Sequence, residues 1–265
     1  MTRPAAALAL VAILACAPAL REPPPLTKPP PGAPASSAGE LVRKADAAWA
    51  RRADPEEARR AQELYLEAAS ADEARVDGLL GAMRAASFRI DRERGRAARE
   101  KLAVEAVQLG QWCQRRAPAD AACRYRLAIA LGQQARERTS TAQDALGSMV
   151  KLLREAIAAD PRLDEAGPHR VLALVLLRAP GWPIGPGDPE EGLREAEAAA
   201  ALFPDSAENQ LALAEALAKS GRAPDARAAY ERAAALAERD VAAGEPEAAQ
   251  WRDEARAALA KGGGA

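Results

Sequence analysis

Residues 192–233 read GLREAEAAAALFPDSAENQLALAEALAKSGRAPDARAAYERA, and their spacing decides the fold. Gly192, Ala196 and Ala199, closed by Pro204, set a step of four, three and five. The step returns 34 positions on, at Ala226, Tyr230 and Ala233, with Leu213, Ala214 and Leu217 on the intervening helix. Small residues at the outer positions let paired helices approach, and the middle position fills the gap between neighbouring hairpins. Working outward, Met149, Leu153, Ala156 and Pro161 repeat the step 43 positions before, one period plus a nine-residue insertion visible as the loop 179–187. Ala61, Tyr65 and Ala68 repeat it again.

A 34-residue helix-turn-helix period is that of tetratricopeptide repeats. The expected architecture is therefore all-α: a solenoid of about ten or eleven helices near 38–52, 55–70, 73–93, 96–115, 120–138, 141–159, 165–178, 189–202, 206–219, 223–240 and 245–260. Asp54-Pro55-Glu56-Glu57 and Asp188-Pro189-Glu190-Glu191 are matching helix starts. Each has an aspartate N-cap, proline at the first helical position and glutamates against the N-terminal dipole. Composition agrees: 49% of residues are hydrophobic and only 3% aromatic. Alanine dominates that fraction and has the best helix propensity, while the residue types that favour strands are scarce.

The first residues carry a different message. Arg3 precedes an apolar run from Ala5 to Leu14 that ends in Ile13-Leu14-Ala15-Cys16. A cationic start, a short hydrophobic segment and a small residue at the cut make a secretory signal. Its spacing resembles the lipobox of bacterial lipoproteins, so Cys16 is the expected lipidated residue and residues 1–15 the removed signal; the alternative is an ordinary signal peptide cut near Ala15 or Ala17. Acyl chains then anchor the chain, since each buried methylene contributes about 0.8 kcal/mol. Residues 16–38 are proline-rich and expected to be a disordered, semi-extended tether, followed by a helical domain over 39–261 and a frayed end over 262–265. Ala17 is not the aspartate that retains enteric lipoproteins at the inner membrane, which points to the periplasmic face of the outer membrane in a Gram-negative host.

Charge excludes one class of partner. The chain has 37 basic and 38 acidic residues, with both signs interleaved along the helices. A nucleic-acid surface needs basic residues clustered to neutralise phosphates, so no nucleic-acid partner is expected. Cys113 and Cys123 flank the turn 115–120 and can bridge it as a disulfide in an oxidising compartment. A redox or metal pair is the other reading, but the spacing is not C-x-x-C and no further ligand completes a metal set. His169 is the sole histidine, and neither a phosphate loop nor a nucleophile elbow accompanies it. No cofactor, metal or catalytic residue is assigned, and the chain is not expected to be an enzyme.

One segment exceeds a generic scaffold. Helix positions 171–177 are apolar nearly all round, which predicts burial or a greasy cavity lining. The proline- and glycine-rich loop that follows carries Trp182 and Ile184; Trp182 either folds back to seal the hairpin or serves as a rim or partner anchor.

Gly167-Pro168, Arg170, Ala179-Pro180-Gly181-Trp182-Pro183, Gly185, Gly187-Asp188, Asn209, Leu211, Ala214 and Glu215 resemble the T component of TRAP transporters, the TatT family of periplasmic lipoproteins, over about residues 40–240. Ala173 stands where that family often has glycine. The resemblance implies a non-enzymatic, ring-forming homo-oligomer with an apolar pore or cleft that docks a solute-binding protein and handles a hydrophobic small ligand. Arg170, Leu174, Leu177 and Trp182 are the expected contributors to that cavity or its rim. A different class fits the same repeats: an envelope-assembly scaffold for barrel insertion or cell-wall machinery, which needs no ligand cavity.

Overall fold

The computed structural model describes residues 19, 20, 22–26 and 37–262. Cys16 and the signal segment lie outside the described residues, as do 263–265 of the expected frayed end. Eleven α-helices follow one another among the described residues: α1 (Ala38–Trp49), α2 (Pro55–Ala71), α3 (Asp77–Arg92), α4 (Arg96–Arg116), α5 (Ala121–Glu137), α6 (Ala142–Ala159), α7 (Leu163–Arg178), α8 (Pro189–Leu202), α9 (Ala207–Lys219), α10 (Ala223–Ala242) and α11 (Ala248–Gly262). A 3-10 turn, Thr139–Thr141, precedes α6, and the sole β feature among the described residues is an isolated bridge between Gly181 and Gly187.

The caps read from sequence are formed. The Asp54 carboxylate accepts from the Glu56 N–H at 2.9 Å, and that of Asp188 accepts from the Glu191 N–H at 2.9 Å. Asp120 caps α5 through the Cys123 N–H at 2.8 Å. Where α3 starts, the sequence reading is too early by four residues. Asp72 accepts from the Ala74 N–H, and the Arg116 guanidinium collects the carbonyls of Ala69, Asp72 and Arg75. This turn satisfies its backbone without helix.

Each helix packs on the next, so the hairpins stack in succession. The small residues do what the spacing requires. A Cβ at Gly81 would fall 2.4 Å from the Tyr65 ring, and one at Gly192 would fall 2.9 Å from Leu177 Cγ. With Gly192 opposite, Ala173 is accommodated and fully buried. The core between hairpins holds Tyr65, Leu79, Met83, Ile90, Leu127, Leu131, Leu153, Leu172 and Leu176. Cys113 and Cys123 are bonded to each other across the α4–α5 turn, with Cα atoms 5.4 Å apart.

The proline-rich tether departs from expectation. Its described residues, 19, 20 and 22–26, are not a free spacer; they lie as a strap on α4 and the start of α6. The Ala19 N–H donates to Asp144 at 2.8 Å, Trp112 Nε1 donates to the Pro24 carbonyl at 3.0 Å, and Arg115 pairs with Glu22 at 2.8 Å. Pro23 is buried and Leu26 packs against the core. An extended proline segment leaves its carbonyls unpaired, and an indole N–H beside an apolar face is suited to receive one.

Candidate functional site

The odd-numbered helices form the inner, concave layer and enclose a cavity of about 660 Å³. Its floor is half-buried apolar side chains: Ile129 of α5, Val171 and Leu174 of α7, and Leu211 of α9. Trp49, Phe88, Tyr125 and Trp251 add four of the chain's nine aromatic side chains, a concentration that the overall scarcity makes informative.

The walls are charged and segregated. On the side built by α1, α3 and α5 stand Arg52, Arg84, Arg92, Arg126 and Arg136, with Asp91 as the lone acid. On the side built by α9, α11 and the turn before α11 stand Glu208, Glu215, Glu245, Glu247 and Glu254, with no basic lining residue. Helix α7 lies between them, with Arg170, Arg178 and Asp164. Charges interleaved along the sequence are thus sorted in space, because each inner helix contributes only one face to the groove.

At its centre Arg170 is 7% exposed. It donates to Asn209 Oδ1 at 2.8 Å and pairs with Glu208 at 3.2 Å. Burial works against its charge, but Glu208, Tyr125, Asp164 and Glu165 outweigh it and hold its proton more firmly than usual. The amide of Asn209 donates to the carbonyls of Glu165 (2.9 Å), Ala199 (3.2 Å) and Phe203 (3.4 Å).

These contacts hold an unusual backbone. Asp164, Glu165 and Ala166 all have positive φ, at 50°, 54° and 61°. A left-handed turn of non-glycine residues costs roughly 1–2 kcal/mol per residue. It persists because Asp164 accepts from Tyr125 at 2.9 Å and Arg126 at 3.3 Å while Asn209 holds Glu165. Burial pushes the Tyr125 hydroxyl well above its usual range, keeping it a donor.

At one mouth of the groove the two ends of the solenoid meet. Arg52, after α1, contacts Glu245 and Glu247 before α11, the latter at 3.1 Å. Arg92 reaches the Pro246 carbonyl at 3.4 Å. Arg52 and Arg84 stack on Trp49 at 4.8 and 4.7 Å, and Arg92 lies 3.5 Å from the Phe88 ring centroid.

Of the expected site residues, Arg170 and Leu174 line the groove. Leu177 does not: it faces α8 and is buried with Ala173, Ala196 and Ala216. Trp182 neither seals the hairpin nor lines the cavity, being 90% exposed, with Ile184 68% exposed beside it. The loop is closed by its own backbone, through Gly187 N–H to the Pro180 carbonyl (2.8 Å) and Asp188 N–H to the Leu176 carbonyl (3.0 Å), leaving Trp182 no inward place. His169 is paired with Glu195 at 2.6 Å, away from the groove lining. Among the described residues no group of His, Cys, Asp or Glu could hold a metal ion, and no helix is long and apolar enough to cross a membrane.

No family model and no curated protein matches the sequence. Solved structures do match the fold. TTC0263, a thermophilic TPR protein of Thermus thermophilus, is 20% identical, with a TM-score of 0.62 over 84% of this chain and 99% of that one. Yeast Tom70 is 18% identical, with a TM-score of 0.53 over 85% of this chain and 40% of that one. By its fold, then, the chain is a tetratricopeptide-like solenoid of helical hairpins.

Proposed function

We propose that the chain is an exported, lipid-anchored docking protein that holds a segment of a partner protein in its concave groove. The observation that carries this is the groove itself: an apolar floor between a basic and an acidic wall. Such a surface fits a polypeptide with an apolar anchor between acidic and basic residues, because opposed walls fix the direction in which it lies. The resemblance to TRAP T components supports a periplasmic solute-binding protein as the partner, at the periplasmic face of the outer membrane. Any hydrophobic ligand would contact only the floor, at Ile129, Val171, Leu174 and Leu211.

Titration calorimetry with a TRAP-type periplasmic solute-binding protein of the same organism tests the reading. Binding is expected, with Arg84→Glu/Arg92→Glu weakening it at least tenfold. No binding, together with capture of barrel-assembly or cell-wall proteins from the envelope, would replace this reading with the assembly scaffold. For the anchor, Cys16→Ala is expected to release the protein from the membrane fraction.

A further inference from the structure

Resting on the reading of Cys16 as the lipidated residue, we infer that the strap clamps the solenoid directly against the bilayer, with the edge made by the α3–α4 and α5–α6 turns facing anionic headgroups. Two independent observations meet at that edge.

The first is reach. Only two residues separate Cys16 from Ala19, and Ala19 is tied to Asp144 in the first turn of α6. Three Cα steps span at most about 11 Å, so the lipidated residue stays within that distance of Ala19, which is itself tied to the start of α6. The proline-rich length that would lift the body comes after this tie, where Trp112 and Arg115 hold it to α4.

The second is charge. The α3–α4 and α5–α6 turns are knit together by Arg99–Glu137 (2.9 Å), Arg138–Glu100 (3.0 Å) and Arg136–Asp91 (3.1 Å). Beyond these pairs, Arg94 and Arg96 are exposed, and among the described residues neither has a carboxylate partner. Arginines without a carboxylate partner, on the edge that carries the α5–α6 turn before Asp144, would act on anionic headgroups within a Debye length of the membrane. The occupant of this edge is the leaflet that holds the acyl chains.

The test uses the full acylated chain in vesicles of phosphatidylethanolamine and phosphatidylglycerol. An environment-sensitive fluorophore is attached at Ser140→Cys, in the α5–α6 turn, or at Pro161→Cys, beyond the far end of α6. Intact mass reports acylation, and lipids spin-labelled near the headgroup report proximity by quenching. The expected result is at least threefold stronger quenching at 140 than at 161. That difference should be lost in Asp144→Ala/Trp112→Ala and reduced in Arg94→Glu/Arg96→Glu, with the acyl mass unchanged. An acylated chain whose two probes quench alike overturns the orientation alone. A chain without the acyl mass overturns the anchor and the orientation with it.

Discussion

Arg52 and Glu247, 195 residues apart in sequence, touch through Nη2 and Oε2 at 3.1 Å and tie the first turn of the solenoid to its last helix. Glu245 shares the same nitrogen. Burial, and after it the proximity of Glu245, pushes Glu247 up to about 7. Burial alone would raise Glu245 as well, but the bonds from Glu247 and Arg52 bring it below its usual range. Below about 7 the proton is therefore favoured on Glu247, with Glu245 ionised against Arg52.

This arrangement sets a pH dependence. A carboxyl with a raised folded value contributes stability that is fully present below the unfolded value of about 4.5 and lost as pH climbs through about 7. Glu247→Gln keeps a donor but cannot ionise. Calorimetric melting should show wild type losing about 2–3 kcal/mol, several degrees of Tm, relative to Glu247→Gln between pH 4.5 and 7.5. Parallel curves would sink the proton on Glu247.

Asn209 is fully buried and spends its whole amide on Arg170 and three carbonyls. Asn209→Ala leaves a buried guanidinium short of an acceptor and should cost about 2–4 kcal/mol in urea unfolding. Asn209→Asp should also destabilise, because it sets a carboxylate oxygen against those carbonyls. A loss under about 0.5 kcal/mol in both would mean that the network is not what holds α7 to α9.

Glu165 sits at φ 54° without being glycine. Glu165→Gly removes the Cβ clash of that conformation and should raise stability by about 0.5–1 kcal/mol despite the entropy glycine adds to the unfolded chain. A β-branched Glu165→Val should lower it by at least about 1 kcal/mol. Equal effects of the two substitutions would argue that the left-handed turn is not populated.

Closing a loop of ten residues, the Cys113–Cys123 bond removes unfolded-state freedom worth roughly 2–3 kcal/mol. Reduction should lower the unfolding midpoint accordingly. Alkylation of the denatured, unreduced protein should label neither residue, and mass spectrometry finding two free thiols would refute the bond.

How far the sequence foretold this molecule depends on range. Helices with a cap and a local period, such as α2 and α8 behind Asp54 and Asp188, were legible to within a residue or two because every signal lies inside one turn. The groove was half legible. Arg170 and Leu174 line it, but a helix apolar all round carries no phase, so Leu177 could not be told from its neighbours until α8 was in place. For Trp182 the sequence left two positions open, folded back on the hairpin or displayed as an anchor, because nothing local fixes which way a stiff loop turns its aromatic; it is exposed. The Arg52–Glu247 tie and the strap on Trp112 were invisible, since each joins segments about 90 to 200 residues apart that no periodicity relates.

The strap also imposes an order of events in time. Its residues are made first, yet Trp112 is 88 positions behind Pro24, and Asp144 is 125 behind Ala19. At about 5–20 residues per second of synthesis, the leading segment stays bare for roughly 5–20 s before anything exists to receive it. Contacts spanning so much sequence cannot form until α4 and α6 exist, so the strap is seated late, after the hairpins that receive it.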